Sequence, residues 1–286
     1  MGSYSINVGN VEIIAVTDMN LIFPLTTEEL WPDVSMDSWA PYRRMYPGTF
    51  EGDRMRIEIG CYVVRSQGKT ILIDSGYGPG PFAYLGGLTG DLMTSLNDQK
   101  VDPSDIDIVF HTHLHIDHVG WNTIQRDGKV VPNFPKARYM AHQADLDYFR
   151  KPEVEAAQSA PFMGHCIEPL VEMGLFDSIV TDTDITDEVR AVHTPGHTPG
   201  HMSLWITSGG EKAFIEGDVF IHPAQVTEPE WNSKFDIDWH TSNGTRSHLL
   251  DILESESSTV IACHFPLPGF GKVIRADGRR YWQVGL

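Results

Sequence analysis

The octapeptide HTHLHIDH, at residues 111–118, constrains the fold of this 286-residue chain more than any other feature. It directly follows residues 106–110, an apolar run with β-branched side chains that is typical of a buried strand. The octapeptide is therefore predicted to lie on the loop where that strand ends. The chain therefore requires a fold that places polar, ligand-forming side chains at the end of a buried strand.

Four potential metal ligands lie within six residues of this loop, which packing alone does not explain. His113 and His115 are two residues apart and can converge on one metal ion from an extended turn. Asp117 and His118 lie on the next turn and can reach a second ion. Imidazole and carboxylate groups suit Zn²⁺, and also Mn²⁺, Fe²⁺ or Co²⁺. The loop is therefore predicted to bind metal.

Strand and helix signals alternate through the middle of the chain, while hairpin signals dominate both ends. Residues 202–207 and 212–216 flank the sequence Ser-Gly-Gly-Glu, a hairpin signal, and residues 241–256 have leucines at helical spacing. The mixture predicts sheets covered by helices in one α/β domain that spans residues 1–286. A stretch rich in Pro and Trp, residues 23–50, is predicted to be a long loop or extension.

The charge of the chain argues against two classes of partner. It has 21 Lys and Arg against 39 Asp and Glu, a formal charge of −18. Nucleic acid and anionic membrane surfaces require a basic footprint, so neither is expected as a partner. No apolar run reaches the length of a transmembrane helix, and the first ten residues lack the features of a signal peptide. We therefore expect a cytoplasmic protein that acts on a small molecule.

The three cysteines lie far apart in the sequence and without a CxxC motif, so no disulfide framework is predicted. Cys263 is followed by a histidine, which raises the question of a thiol site. Its preceding neighbours are apolar, and it is therefore predicted to be a buried, inert thiol.

Five elements, in order along the chain, resemble those of the metallo-β-lactamase superfamily. The matches are Asp74 at a strand end, HxHxDH at residues 113–118, TPGHTPGH at residues 194–201, IEGD at residues 215–218, and Cys-His at residues 263–264. The resemblance covers most of the chain. It implies the fold of that superfamily, a four-layer αββα sandwich of the α/β class.

The resemblance also implies ligands for two divalent metal ions, with zinc the first metal expected and Mn, Fe or Co as alternatives. The ligands would be His113, His115 and His201 for the first ion, Asp117, His118 and His264 for the second, and Asp218 as a bridge. The other histidine of the repeated turn, His197, is expected to fix that turn or to support a ligand from behind. Asp74 is expected to orient a ligand histidine through its ring N–H.

This ligand set predicts hydrolytic chemistry. Two cations that share a hydroxide bring the pKa of water toward neutrality and so provide a nucleophile at pH 7. One of the cations also polarises the oxygen of the bond under attack. Asp218 would hold the cations close together, and Asp117 would pass a proton to the leaving oxygen. Both are therefore predicted as catalytic residues.

Within the superfamily, the chain is most similar to the branch of lactonases and methyl-parathion-hydrolase-like enzymes. The similarity lies in THLHIDHVGWN at residues 112–122, in CHFPLPGFG at residues 263–271, and in an amino-terminal extension at about residues 20–55. Extensions of this kind form the pocket rim or a dimer contact in that branch. The resemblance therefore implies such a role here, and a homodimer.

One position departs from the acyl-homoserine lactonases of this branch. They commonly have a tyrosine three residues after the bridging Asp, where this chain has Ile221. Its neighbours Phe220 and His222 are predicted to contact the substrate instead. This departure favours an apolar pocket for a neutral ester, a lactone or an aryl phosphotriester.

The predicted function is a dinuclear metal-dependent hydrolase that opens a lactone or cleaves a neutral ester. An aryl phosphotriester hydrolase and a thioesterase of the same fold are open alternatives. A mononuclear iron persulfide dioxygenase would use part of the same ligands, bind one iron and consume oxygen with a thiol substrate. A ligand-binding effector with little turnover is the alternative that is not an enzyme in the ordinary sense.

Overall fold

The computed structural model describes residues 4–157 and 162–285. The strands are β1 (Ser5–Val8), β2 (Val11–Thr26), β3 (Phe50–Glu51), β4 (Arg54–Ser66), β5 (Lys69–Ile73), β6 (Ile108–Phe110), β7 (Thr123–Arg126), β8 (Lys129–Pro132), β9 (Arg138–His142), β10 (Phe176–Ile179), β11 (Thr183–Thr186), β12 (Val189–His193), β13 (Met202–Ser208), β14 (Glu211–Ile215), β15 (Thr259–Ile261), β16 (Phe270–Ala276) and β17 (Arg279–Val284). The α-helices are α1 (Thr27–Leu30), α2 (Ala40–Met45), α3 (Leu92–Asp98), α4 (Ile116–Val119), α5 (Gln143–Phe149), α6 (Pro152–Ala157), α7 (Glu168–Glu172) and α8 (Trp239–Glu256). None of the helices in these two ranges has the length and apolar character that crossing a bilayer requires.

The strands form two large sheets and a separate hairpin of β7 and β8. The first sheet has the order β1-β2-β4-β5-β6-β9-β10, with β3 also paired to β4, and the second runs from β11 to β17 in sequence order. Helices α3 and α7 pack on the outer face of the first sheet, and α8 packs on the outer face of the second. This arrangement confirms the predicted αββα sandwich.

Alternating side chains on each strand explain why the two sheets face each other. On β14, Ala213 and Ile215 point into the layer between the sheets, while Phe214 points to the helix side. Met202, Leu204 and Ile206 of β13 meet the same inner layer. Burying one such aliphatic side chain stabilises the fold by about 1.5–3 kcal/mol. The period of two therefore commits each strand to one orientation.

Local signals fix the ends of several elements. Gly209 and Gly210 between β13 and β14 have φ values of 60° and 83°, the left-handed conformation that a two-residue hairpin turn requires. Helix α8 begins after Asp238, whose carboxylate accepts a hydrogen bond from the Thr241 N–H at 3.0 Å. It ends at Ser257, which has a φ of 51°.

The stretch at residues 23–50 is more regular than the predicted loop. Strand β2 extends to Thr26, and α1 and α2 follow. Pro41 lies in the first turn of α2, where its missing N–H has no helical partner to lose, so a proline is compatible with the helix. Trp39 is fully buried and its ring lies 4.6 Å from that of Trp231. Packing of buried indole rings therefore holds this stretch against the rest of the fold.

Candidate metal centre

The predicted ligands lie at the ends of strands in both sheets. In the first sheet, β5 and β6 are parallel, so Asp74 and the loop at residues 111–118 leave the sheet at the same edge. In the second, β14 and β15 are parallel, so Asp218 and His264 also share an edge. The turn at residues 194–201 joins β12 to β13 beside them. Face-to-face packing of the sheets brings these loops together.

One group of potential ligands consists of His118, Asp218, Cys263 and His264, all buried. The Nε2 atom of His264 lies 3.1 Å from Asp218 Oδ2, and that of His118 lies 3.4 Å from Asp218 Oδ1. Asp117 approaches the same two imidazoles, with its Oδ2 3.7 Å from His118 Nε2 and 3.6 Å from His264 Nε2. Two carboxylates and two imidazoles therefore converge.

A second group consists of His113, His115 and His197. The Nδ1 atom of His115 lies 2.9 Å from the Nε2 atoms of both other histidines. Asp218 lies between this group and the first, since its Oδ2 is 3.3 Å from His197 Nε2 and 3.7 Å from His113 Nε2. One carboxylate thus contacts both groups.

His201, a predicted ligand, lies behind Asp218 and is in neither of these two groups of the described residues. Its Nε2 accepts a hydrogen bond from the Asp218 N–H at 2.9 Å, and its Nδ1 lies 3.1 Å from the carbonyl of Thr194. Both ring nitrogens of His201 therefore have partners within the protein, and its Nε2 holds the backbone of Asp218. His197, predicted only to support the turn, takes the place beside His113 and His115. Burial lowers the pKa of His201 to about 3.

Asp74 lies behind the ligand loop. Its Oδ2 is 2.9 Å from His118 Nδ1, which is the contact that an orienting role requires. It also accepts a hydrogen bond from the Thr112 hydroxyl at 2.8 Å, and that hydroxyl lies 3.1 Å from His113 Nδ1. Burial raises the pKa of Asp74, but the adjacent His118 and His111 outweigh this effect and bring it to about 2. Asp74 is therefore ionised.

Two buried carboxylates that the sequence analysis did not single out organise the loops. Asp145 accepts hydrogen bonds from the N–H groups of Leu114 and Gly200, at 3.0 and 2.6 Å, and so joins two ligand loops. Asp18 accepts bonds from the N–H of Tyr77 and the indole N–H of Trp121, both at 2.6 Å. Each is a single acidic residue far from its partners in sequence, so no motif marks it.

Phe220 and His222, which are predicted to contact the substrate, are both buried. Phe220 is fully buried in the hydrophobic core and offers no exposed surface. The Nε2 of His222 lies 2.7 Å from the Thr49 hydroxyl, and its Nδ1 accepts a bond from the Ala224 N–H at 3.1 Å. Burial lowers the pKa of His222 to about 3. Both side chains therefore stabilise the fold around the centre.

Cys263 is buried, as predicted, but it also contacts the potential ligand Asp218. Its Sγ lies 3.2 Å from Asp218 Oδ1 and 3.1 Å from the carbonyl of Gly217. Burial raises the pKa of the thiol well above its usual value. Cys263 therefore keeps its S–H proton and acts as a hydrogen-bond donor to these oxygens.

The donor set fits metal ions. His118 Nε2 is buried and makes no hydrogen bond to any residue in the described ranges, although it faces two carboxylates. In the other group, His113 and His197 engage Thr112 and Asp236 through Nδ1, which leaves their Nε2 lone pairs directed at His115. Converging lone pairs repel one another unless a cation lies between them. Buried imidazoles around a shared carboxylate are ligands that zinc and related ions bind.

A model of the metallo-beta-lactamase superfamily matches residues 59–264, so the chain belongs to this superfamily. The match begins in β4 and ends at His264, and so contains both groups of potential ligands.

Among its relatives is an N-acyl homoserine lactonase from a Bacillus species, 25% identical over 172 residues, which are 54% of this chain and 60% of that protein. A second, from Bacillus cereus, is 25% identical over 170 residues with the same coverage. The chain thus spans about 60% of the length of these relatives.

Two solved structures resemble this one over nearly its whole length. The hydrolase AbOPH of the beta-lactamase superfamily has a TM-score of 0.83 and 27% identity, covering 98% of this chain and 96% of that one. AidC, a dizinc quorum-quenching lactonase solved with a product bound, has a TM-score of 0.81 and 21% identity, covering 100% and 98%. The chain therefore has relatives in the lactonase-like branch, as the sequence predicted.

Proposed function

We propose that this protein is a two-metal hydrolase that opens a lactone or cleaves a neutral carboxyl ester. The observation that carries the proposal is the position of Asp218, whose carboxylate contacts both groups of imidazoles. His113, His115 and His197 would hold one ion, His118, His264 and Asp117 the other, and Asp218 would bridge them. When bound, such ions supply a nucleophile at neutral pH and polarise the carbonyl oxygen under attack.

Zinc is the native metal in this proposal. The donors are imidazole and carboxylate, which suit zinc, and the structurally similar AidC is described as a dizinc enzyme.

Asp117 is proposed as the proton carrier. Its side chain is 22% exposed, whereas those of His118 and His264 are almost completely buried. The carboxylate therefore reaches from the ligand cluster toward the side that a substrate can enter. Its Oδ2 would take the proton of the attacking water and deliver it to the leaving oxygen of the ester.

An apolar rim supports a neutral substrate. The rings of Phe23, in the amino-terminal extension, and Phe235 contact each other at 5.6 Å. Phe235 precedes Asp236, which contacts the ligand His197, and Leu267 follows the ligand His264 and is partly exposed. We therefore assign the extension at residues 20–55 to the rim of the substrate pocket. The homodimer and the cytoplasmic location expected from the sequence stay predictions.

The test combines metal analysis with turnover. The purified protein is analysed for bound metals and assayed with acyl-homoserine lactones, aryl esters, a thioester and an aryl phosphotriester. Two equivalents of zinc with lactone or ester turnover are expected. If the phosphotriester or the thioester is the preferred substrate, the proposed substrate class is wrong but the proposed two-metal centre still holds. One equivalent of iron, no hydrolysis and oxygen consumption with a persulfide would overturn the proposal in favour of a dioxygenase, and tight ligand binding without turnover would favour an effector.

Asp117→Asn separates proton transfer from metal binding. We expect this variant to keep both metals and to lose turnover by about 10²-fold or more, the contribution of a positioned acid or base. Full turnover with both metals present would remove Asp117 from this role.

A further inference from the structure

A buried chain of polar side chains connects helix α8 to the candidate ligand His197. His197 Nδ1 lies 3.0 Å from Asp236 Oδ1, and the other carboxylate oxygen, Oδ2, lies 3.4 Å from Arg246 Nη1. The three residues are 3%, 4% and 1% exposed, respectively. An ion pair excluded from water in this way is retained only if each of its polar atoms finds a partner.

The partners of Arg246 fix its guanidinium in place. Its Nε donates a hydrogen bond to the carbonyl of Pro229 at 2.7 Å, and its Nη2 donates to Asn243 Oδ1 at 2.7 Å and to Asn232. The Ser233 N–H donates to Asp236 Oδ2 at 2.9 Å. Asp236 Oδ2 is thus committed to donors on one side, and Oδ1 is left to face His197.

This arrangement determines which nitrogen of His197 carries the proton. A carboxylate beside a permanent guanidinium charge acts only as an acceptor. His197 must then present Nδ1–H to Asp236, which leaves Nε2 unprotonated on the side of His115 and Asp218. We propose that Asp236 and Arg246 form a positioning pair that fixes the Nδ1–H tautomer of His197 and thereby aims its Nε2 lone pair at the metal. This inference rests on the proposed function, in which His197 is a metal ligand.

The pair explains why an amide cannot replace Asp236. Asparagine has one acceptor oxygen, and the site requires acceptors toward Arg246 and Ser233 on one side and toward His197 on the other. If the oxygen faces Arg246, the amide NH₂ faces His197, makes Nδ1 an acceptor and moves the proton to Nε2, where it blocks coordination. If the oxygen faces His197, the NH₂ opposes the guanidinium.

Metal affinity is the direct test. Wild type, Asp236→Asn, Asp236→Ala and Asp238→Asn are loaded with zinc and titrated with a chelator. Asp238→Asn is the matched control, because Asp238 is exposed, lies two residues away and caps α8 through Thr241. We expect Asp236→Asn to bind one of two equivalents about 10- to 100-fold more weakly, the usual effect of losing a group that orients a ligand. The control should match wild type.

Comparison of the two Asp236 variants distinguishes tautomer control from simple packing. Alanine leaves a larger gap than asparagine, so a purely structural role of Asp236 predicts a greater loss of zinc affinity in Asp236→Ala than in Asp236→Asn. Tautomer control predicts that asparagine loses at least as much affinity as alanine. Wild-type affinity in a folded Asp236→Asn, or better retention with asparagine than with alanine, would overturn the proposal.

A second measurement reads the tautomer in the wild-type protein and does not depend on folding of the Asp236 variants. Long-range ¹H–¹⁵N correlation spectra of the zinc-loaded protein report the protonated nitrogen of each imidazole, and His197→Gln identifies the His197 signals. A proton on Nδ1 is the expected result, and a proton on Nε2 would contradict it. If wild type itself binds no metal, the proposed function fails, whereas two metals with an Nε2–H tautomer refute the positioning pair and His197 as a ligand but leave the two-metal hydrolase standing.

Discussion

The two halves of the candidate metal centre differ in charge although they share Asp218. The His118 and His264 half has carboxylates at contact distance, and despite their burial these carboxylates raise the pKa of His118 well above its usual value. The His113, His115 and His197 half consists of imidazoles only, and burial lowers the pKa of His113 well below its usual value. One half is therefore held together by charge attraction, whereas the other provides neutral lone pairs.

The halves also differ in how their histidines are oriented. His118 faces Asp74, which follows β5 in the first sheet, and His264 donates its Nδ1–H to the backbone carbonyl of Glu58 at 2.8 Å. His197 depends on Asp236, from a loop that precedes α8. The first half is thus anchored to the strands of the sandwich, while the second depends on side chains carried by loops and a helix.

Substitution of the shared carboxylate, Asp218, should have the largest effect on metal binding and turnover. Asp218→Ala removes the contact common to both halves, so we expect weak binding of both metals and a loss of turnover of about three orders of magnitude. Metal content and kcat/KM are measured together on the purified variant. If both metals remain tightly bound, Asp218 is not a bridge and the halves are independent.

The repeated turn provides a sharper comparison of two histidines. His197→Gln should lose one equivalent of metal, because it removes a donor from the imidazole half. His201→Gln should keep both equivalents and lose at most about tenfold in turnover, since a glutamine can still accept the Asp218 N–H. Loss of metal in His201→Gln with retention in His197→Gln would restore the ligand set expected from the sequence.

Orientation of the anchored half is tested at Asp74. Asp74→Asn should weaken the binding of one equivalent of metal about 10- to 100-fold, through His118. It should weaken the other equivalent less, because Asp74 reaches His113 only through the Thr112 hydroxyl. Chelator titrations of Asp74→Asn and Asp236→Asn are compared side by side. The metal equivalent that is bound most weakly should differ between the two variants. Loss of the same equivalent in both variants would mean that the two halves are one coupled unit.

Metal removal should lower stability without unfolding the sandwich. At a zinc concentration 100 times Kd, binding to one site stabilises the folded state by about 2.7 kcal/mol. We expect the zinc-loaded protein to unfold at a higher temperature than the chelated protein, and Asp218→Ala to show almost no such difference. An equal shift in that variant would place the zinc elsewhere.

A smaller effect concerns His222, outside both halves. Its pKa is about 3 in the folded protein and 6.5 as a free side chain, so the unfolded state binds one more proton between these values. Stability contributed by neutral His222 is therefore lost as pH falls below 6.5, at about 1.4 kcal/mol per pH unit. In urea unfolding of metal-free protein at pH 7, 6 and 5, wild type should lose stability faster than His222→Gln. Parallel curves would show that folding does not lower the pKa of His222.

The strands around the centre were predictable because short apolar runs and Gly-Gly turns mark them locally, as at residues 106–110 and 209–210. The different positions of His197 and His201 could not be predicted from the sequence. Each ends one of two identical Thr-Pro-Gly-His tetrapeptides, and only the sheet register distinguishes them. His201 directly precedes Met202 of β13 and is drawn against the backbone of Asp218, while His197 remains on the turn. The contact of Asp236 with its partner in α8 could not be predicted either, because Arg246 is ten residues away and nothing in the local pattern indicates that the two meet.

The convergence of loops from both sheets has a mechanical consequence. A metal pair held by the loop after β6 and by the ends of β14 and β15, as proposed, would cross-link the two sheets at one edge, and a chelator would remove this cross-link. The opposite edge is fastened differently, by hydrogen bonds such as that between Ser66 and Glu188 at 2.8 Å. Removal of the metals should therefore let the sandwich open from the centre side first, with faster amide exchange at residues 111–118 and 194–201 than at the Ser66 edge.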